Sequence, residues 1–149
     1  MLFRSLPLQP APSAEELRRL AQGPFWQSLN AKRMLAAQER GEPLPGHYRA
    51  PLALWQFGKD LTVVGISGEV VSDYVPLIEK VLGQERLWIA GYTNQVFGYL
   101  PSARIVAEGG YESLGLPYGP VGWFSAKAQD VILDKLRKMA QQAGRQLPS

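Results

Sequence analysis

The chain contains no cysteine among its 149 residues. That absence excludes disulfides, thiol nucleophiles and zinc sites built from thiolates. Histidine is scarce as well: His47 is the only one, and it lies in a loop rich in proline and glycine. A catalytic zinc site usually takes three protein ligands, with histidine prominent among them. This chain therefore cannot form a conventional one by itself, and we expect His47 to be a solvent-facing loop residue.

Long hydrophobic runs are also missing. No apolar stretch approaches the roughly 20 residues that a membrane-spanning helix needs, so we expect no transmembrane segment. The first twelve residues hold one arginine, three prolines and no continuous apolar segment, which is not the pattern of a secretory signal. Residues 2–5 also match the translated end of a common sequencing adapter. We therefore expect residues 1–12 to be disordered or artefactual.

Charge of either sign is modest. Charged residues make up 19% of the chain, hydrophobic residues make up 46%, and the net charge is +3. These values are typical of one globular domain and not of a disordered chain. Small basic clusters occur at Arg18-Arg19, at Lys32-Arg33 and in residues 135–138, each beside acids on a predicted helix. Solvated helix faces explain them better than a nucleic-acid interface does, so we expect no nucleic-acid partner.

Several common signatures of catalysis and cofactor binding are absent from the sequence. No serine lies in the Gly-x-Ser-x-Gly turn that presents the nucleophile of an α/β-hydrolase. The segment Gly65-Ile66-Ser67-Gly68 is too short for a dinucleotide-binding fingerprint or a phosphate-binding loop. Neither an α/β-hydrolase triad nor a nucleotide site is therefore supported.

The first part of the chain predicts two helices followed by a loop. Ser13 and Glu16 have the spacing of a capping box, which predicts a helix over residues 14–22. A second helix is predicted over residues 25–40, and the prolines and glycines of residues 41–46 predict a loop. We therefore divide the chain into a helical segment with its loop, residues 13–46, and a second portion, residues 47–149.

The second portion predicts an α/β fold. Two apolar strands around a tight turn predict a hairpin. A helix capped by Ser72 or Asp73 and ended by Gly83 then leads to a buried strand, which predicts a parallel strand–helix–strand crossover. We therefore predict a mixed sheet with flanking helices and a long C-terminal helix. The predicted elements are hairpin strands 52–57 and 61–66, a strand at 87–92, a short helix at 101–107, a Gly/Pro-rich loop at 109–122 and a helix at 125–143.

Three residues with chemically useful side chains follow strands or lie in glycine-rich turns. Glu69 follows an apolar strand and a glycine, while Tyr99 and Tyr111 each stand near glycines. A loop-held carboxylate is a good cation ligand, and a phenol donates a hydrogen bond or, after deprotonation, coordinates a metal. The alternatives are structural: Glu69 as a helix-capping acid and the tyrosines as lids on the core. Asn94 is expected to hydrogen-bond its own turn.

Four short motifs follow one another in this portion. They are Gly68-Glu69 after an apolar strand, Ala90-Gly91-Tyr92-Thr93-Asn94 leading to Tyr99, Tyr111-Glu112, and Tyr118-Gly119-Pro120 before a helix. In this order and spacing, residues 52–140 resemble the later part of the catalytic domain of neutral (alkaline, non-lysosomal) ceramidases. The pattern departs from the family at Val70-Val71-Ser72, where Phe-Thr-Thr is common, and at Val96, where an aromatic residue is usual.

The resemblance implies a zinc-dependent hydrolysis of an amide. Glu69 and Tyr99 would be zinc ligands, and Tyr111 would hydrogen-bond the oxyanion of the tetrahedral intermediate. Two histidines from the earlier part of the family's domain complete the zinc site. Zinc-activated water then attacks the carbonyl of a lipid-like N-acyl amide such as N-acylsphingosine, releasing a fatty acid and an amine. Members of the family are usually exported.

Two hypotheses follow from the sequence. In the first, residues 47–149 are the C-terminal portion of a ceramidase-like catalytic domain, whose partner is the missing N-terminal half with its histidines. The chain alone would then be inactive. In the second, the chain is a small non-catalytic α/β module that binds a ligand or a protein.

Overall fold

The computed structural model describes residues 2–114 and 122–148. The strands are β1 (Leu2–Pro7), β2 (His47–Phe57), β3 (Leu61–Ile66), β4 (Glu69–Val70), β5 (Leu87–Ala90) and β6 (Tyr99–Leu100). The helices are α1 (Ala14–Leu20), α2 (Phe25–Glu39), α3 (Tyr74–Leu82), α4 (Ala103–Glu108) and α5 (Lys127–Gln142), with a 3-10 turn at Tyr111–Ser113. The predicted α/β class, with flanking helices and a long C-terminal helix, is confirmed.

A four-stranded sheet in the order β1-β2-β3-β5 forms the centre of the fold. β2 and β3 are antiparallel, with Leu52 opposite Ile66 and Phe57 opposite Leu61, so the predicted hairpin is confirmed. β5 joins β3 in parallel, because α3 carries the chain back to the other end of the sheet. The predicted crossover is therefore confirmed as well. The strand β5 is not fully buried, however, since Trp88 is 68% exposed.

Residues 1–12 were expected to be disordered or artefactual, and the disorder is contradicted for residues 2–7. These residues form β1, which pairs antiparallel with the first half of β2. The side chain of Leu6 is fully buried, and Leu8 continues into a bridge with Phe124. Three prolines within twelve residues argue against a helix, but an edge strand tolerates proline where no partner needs its amide. The pairing with a distant strand is what orders this segment.

Helices α3 and α5 cover one face of the sheet. Leu52 of β2 and Val64 of β3 point to this face and are fully buried. They belong to the same core as Ile78 of α3 and Ile132 and Leu136 of α5. Each such side chain contributes about 1.5–3 kcal/mol through its removal from water. In the part of the chain that the structure describes, no helix is long and apolar enough to cross a membrane.

Helices α1 and α2 form a hairpin with a small core of its own. Ser13 caps α1 by accepting a hydrogen bond from the amide of Glu16, as the capping box predicted. The hairpin core consists of Leu17, Ala21, Ala31 and Met34, with Trp123 packed against it. Asn30 of α2 adds a polar link, because its side chain donates to the carbonyl of Gly122 and accepts from the Gly122 amide. The hairpin is thereby tied to the segment that precedes α5.

Candidate functional site

The structure brings Glu69 and Tyr99 together on neighbouring strands. β4 and β6 are two-residue strands that pair in parallel, with Glu69 in register with Tyr99. The amide of Glu69 donates to the carbonyl of Gly98 at 2.8 Å. Gly68 makes the approach possible, because its φ of +83° strains a residue with a side chain and an added Cβ would lie 2.6 Å from the ring of Phe97. A short sheet outside the main one therefore positions both predicted ligands.

Glu69 does not cap the helix that follows it. The N-cap position of α3 is Asp73, and the carboxylate of Asp73 does not bond the helix amides. Asp73 instead accepts from the hydroxyl of Ser102 at 2.6 Å and from the guanidinium of Arg104 at 2.7 Å. The Arg104 and Ser102 hydrogen bonds hold the pKa of Asp73 below its usual value. The capping alternative for Glu69 is therefore not supported, and its carboxylate is left for another role.

Tyr111 lies against Tyr99. The two ring centroids are 5.6 Å apart and the ring planes meet at 76°, an edge-to-face contact. The hydroxyl oxygen of Tyr111 accepts a hydrogen bond of 2.9 Å from the indole Nε1 of Trp26 in α2. Because an indole N–H only donates, this contact leaves the hydroxyl proton of Tyr111 to be donated elsewhere. The geometry thus suits Tyr111 as a hydrogen-bond donor near Tyr99.

Two phenols interact with the Glu69 carboxylate. A hydrogen bond to Glu69 is the main cause that raises the pKa of Tyr92 to about 12, with desolvation and the charge of Glu69 adding to it. Desolvation raises the pKa of Tyr99, and the negative charge of Glu69 raises it further. Both tyrosines are therefore neutral donors at neutral pH. A cation placed between Glu69 and Tyr99 would offset the negative charge of Glu69, lower the pKa of Tyr99 and favour its phenolate.

Glu69 and Tyr99 border an acidic cleft of about 380 Å³. Its carboxylates face a single arginine, Arg104, which is paired with Asp73 and with Glu108 at 2.6 Å. An excess of negative charge attracts cations. The cleft is lined by Glu69, Ser72, Asp73, Tyr99, Arg104 and Glu112, among others.

The donor set fits one half of a zinc site and not a whole one. Glu69 and Tyr99 supply two oxygen donors side by side, which zinc accepts in proteins. Within residues 2–114 and 122–148, no group of three or more histidines, cysteines and carboxylates is arranged to hold a metal ion. His47 is exposed at the start of β2. Further ligands would have to come from residues other than these.

Two residues of the site were not identified from the sequence. Tyr92 was noted only as part of a motif, and its positive φ of 54° in the turn after β5 is the conformation that carries it toward Glu69. Trp26 lies far from Tyr111 in sequence, and no local signal connects them. Asn94 is exposed in the same turn with a φ of 64°. The motif Tyr118-Gly119-Pro120 lies outside the described residues.

The contact between Tyr92 and Glu69 predicts a measurable titration. Replacing Glu69 with glutamine removes the negative charge, so the pKa of Tyr92 should fall from about 12 toward the ordinary value of a tyrosine. NMR of ring-labelled tyrosine measures this shift, with Tyr92→Phe assigning the resonance. Because the pKa of Tyr92 is raised in the folded state, its contact with Glu69 stabilises the fold fully at pH values below the pKa of an unfolded tyrosine. That contribution is lost as the pH rises through about 12.

A matched variant tests whether the effect is specific to Glu69. Glu112 lines the same cleft but is not among the causes of the Tyr92 shift. The Glu112→Gln variant should therefore leave the titration of Tyr92 unchanged. An unaltered Tyr92 pKa in the Glu69→Gln protein would contradict the contact.

No family model, curated protein or solved structure matches the chain. The fold and the site define its class by themselves: an α/β protein whose short second sheet presents a carboxylate and a phenol at an acidic cleft. What this site does is therefore argued from its geometry and chemistry.

Proposed function

We propose that this chain supplies one half of the active site of a zinc-dependent amide hydrolase resembling neutral ceramidase. The observation that supports the proposal is the register of Glu69 with Tyr99, with the ring of Tyr111 packed on Tyr99. Two pairing strands bring Glu69 beside Tyr99, and a ring contact adds Tyr111, so three residues that are far apart in sequence lie together. They are the three to which the family resemblance assigns the metal and the oxyanion.

Each residue has a separate role in this proposal. Glu69 would hold zinc through its carboxylate, and Tyr99 would hold it through its phenolate oxygen. When bound, zinc supplies an activated water and a positive charge beside the substrate carbonyl. Tyr111 would donate a hydrogen bond from its hydroxyl to the oxyanion that develops on the substrate. Trp26 holds the Tyr111 oxygen from the other side and so directs that proton toward the site.

The remaining ligands are proposed to be histidines from the N-terminal half of the catalytic domain. With two oxygen donors, the 149-residue chain is expected to bind zinc weakly and to hydrolyse no amide. The substrate of the completed site would be a lipid-like N-acyl amide such as N-acylsphingosine. Stoichiometric, tight zinc binding together with amide hydrolysis by the purified chain would overturn the half-site proposal.

Free imidazole can stand in for the missing histidines in a direct test. Cobalt(II), a spectroscopic substitute for zinc, should bind the purified chain weakly, and added imidazole should strengthen its binding. Glu69→Gln and Tyr99→Phe should each weaken the imidazole-dependent binding about tenfold or more, a loss of roughly 1.4 kcal/mol per tenfold. The absorption spectrum of the bound cobalt(II) measures the affinity.

Two variants separate ligands from neighbours. Glu112→Gln removes a carboxylate from the same cleft, and Tyr111→Phe removes the hydroxyl of the residue packed on Tyr99. Each should change the affinity for cobalt(II) by much less than the substitution of Glu69 or Tyr99, since neither residue is a proposed ligand. Equal weakening by all four substitutions would indicate general attraction to the acidic cleft and would reject Glu69 and Tyr99 as ligands.

The second candidate is a non-catalytic α/β module that binds a ligand or a protein. It is favoured by the interaction of Glu69 with the Tyr92 and Tyr99 phenols, which raises the pKa of both tyrosines without any metal. This hypothesis predicts a cooperative, monomeric thermal transition and normal folding of Glu69→Ala and Tyr99→Phe. It also predicts no effect of imidazole on the binding of cobalt(II).

A further inference from the structure

The turn between β5 and β6 is bonded to the segment that enters β4. The amide of Tyr92 donates to the carbonyl of Gly68 at 2.9 Å. The amide of Glu69 donates to the carbonyl of Gly98 at 2.8 Å. The Gly68 carbonyl and the Glu69 amide belong to one peptide unit, and in a planar trans peptide these two groups point in opposite directions. Tyr92 and Tyr99 therefore approach Glu69 from opposite sides of its backbone.

Tyr92 has a backbone conformation that is uncommon for a bulky residue. Its φ of +54° lies in the left-handed region. Two more backbone hydrogen bonds hold the turn in place. The amide of Thr93 donates to the carbonyl of Ile66 at 3.2 Å, and the amide of Gly68 donates to the carbonyl of Gln95 at 2.8 Å. Such conformations persist where the surrounding structure fixes them, and they cluster at functional sites. The turn thus presents the Tyr92 side chain at a fixed place beside β4.

The phenol of Tyr92 reaches the Glu69 carboxylate although the residue lies largely outside the core. Tyr92 is 58% exposed, so burial of its ring does not explain its place. Its hydroxyl forms a hydrogen bond with the carboxylate, and so does the hydroxyl of Tyr99. An ionised carboxylate has two oxygens and only accepts, so it can take both donors at once. Glu69 is therefore held by one phenol from each side.

The two phenols have different roles if the site holds a metal, an inference that rests on the proposed function. We propose that Tyr92 is a positioning residue for Glu69, whose hydrogen bond to the carboxylate remains when the Tyr99 oxygen becomes a ligand. Carboxylates that bind metals are themselves hydrogen-bonded in proteins, and the loss of such a partner typically lowers metal affinity about 10–100-fold. With one oxygen held by Tyr92, Glu69 would offer only the other to zinc, which suits a site of four ligands.

Cobalt(II) binding in the presence of imidazole tests this role. Tyr92→Phe removes one oxygen atom from an exposed side chain, and it should weaken the imidazole-dependent binding about tenfold or more. The Glu69 carboxylate would then be free to bind through both oxygens. The visible absorption per bound cobalt(II) should therefore fall, because cobalt(II) absorbs more strongly with four ligands than with five or six. Tyr92→Asn is the second variant, since asparagine suits a positive φ and lacks the phenol, and it should give the same result. Circular dichroism checks that both variants fold.

A control in the same turn separates positioning from a general disturbance of the turn. Val96 is 47% exposed, and Val96→Ala should bind cobalt(II) like the wild type. Wild-type affinity and absorption in Tyr92→Phe and Tyr92→Asn would overturn the positioning role. So would a loss of affinity that Val96→Ala shares, or one that leaves the absorption per bound cobalt(II) unchanged, because either result indicates a structural effect.

The Glu69→Gln variant separates this role from the proposed function. If Glu69→Gln weakens the binding of cobalt(II) and Tyr92→Phe does not, the role of Tyr92 is wrong and the half-site stands. If Glu69→Gln itself binds cobalt(II) like the wild type, Glu69 is not a ligand, and both the half-site and the role of Tyr92 are rejected.

Discussion

Replacing Gly68 with alanine is expected to destabilise the fold by about 3 kcal/mol, the combined cost of a positive φ and of overpacking. The backbone φ at Gly68 is +83°. An added Cβ would stand 2.6 Å from Cζ of Phe97 and 3.0 Å from the carbonyl oxygen of Gly98. Phe97 is fully buried and packs edge-on against Tyr48 and Phe124, so its ring cannot move aside easily.

Denaturant unfolding of Gly68→Ala and of Gly58→Ala measures the two contributions separately. Gly58 also has a positive φ, +56°, but an added Cβ there meets no atom within 4 Å. Its substitution should cost only the conformational part, about 1 kcal/mol. Equal losses of stability in the two variants would show that the ring of Phe97 moves aside with no cost in free energy. Because Gly68 precedes Glu69, the alanine variant should also lose its affinity for cobalt(II).

Replacing Asn30 with alanine is expected to lower the free energy of unfolding by about 2–4 kcal/mol, the cost of leaving buried polar groups without partners. Asn30 is 2% exposed and makes two hydrogen bonds with Gly122, donating to its carbonyl at 2.6 Å and accepting from its amide at 3.1 Å. Its truncation leaves both groups of Gly122 without this partner. The loss should therefore exceed that of a surface substitution several-fold.

The same variant tests how firmly the helical hairpin is joined to the rest of the fold. Lys32 lies on α2 two residues further on and is exposed, so Lys32→Ala is the matched control and should change stability by less than about 0.5 kcal/mol. Chemical denaturation, followed by circular dichroism and by tryptophan fluorescence, measures the free energy of unfolding of both variants. If Asn30→Ala unfolds at the same denaturant concentration as Lys32→Ala, the Asn30–Gly122 link does not stabilise the hairpin.

Elements that depend on neighbouring residues could be predicted from the sequence. The hairpin of β2 and β3 follows from two apolar strands around Gly58-Lys59-Asp60, and its register is set by the length of that turn. The helix α3 begins after Asp73 and ends at Gly83 as predicted, although the side chain of Asp73 does not cap it. The end could be predicted because a glycine acts within one turn of a helix. Long-range pairing could not be predicted in this way. Residues 1–12 were expected to be disordered or artefactual, whereas β1 is ordered by its pairing with β2.

The candidate site also combines features that could be predicted from the sequence with features that could not. Glu69, Tyr99 and Tyr111 could be chosen from their positions after strands and near glycines. The contact between these residues could not be predicted, because the register of Glu69 with Tyr99 depends on two strands of only two residues each. Such short strands carry no periodic pattern. Trp26 and Tyr92 complete the environment through contacts that only the folded chain creates.

By itself the sequence determined the α/β class, the hairpin, the crossover and the absence of thiols and of a second histidine, because these rest on composition and local pattern. Only the tertiary structure decided that Glu69 lies beside Tyr99 and not at the start of α3. It also decided that Trp55, Phe57 and Trp88 share an exposed face. Those arrangements come from pairings between distant segments, whose free energy depends on the whole fold and not on any one stretch of residues.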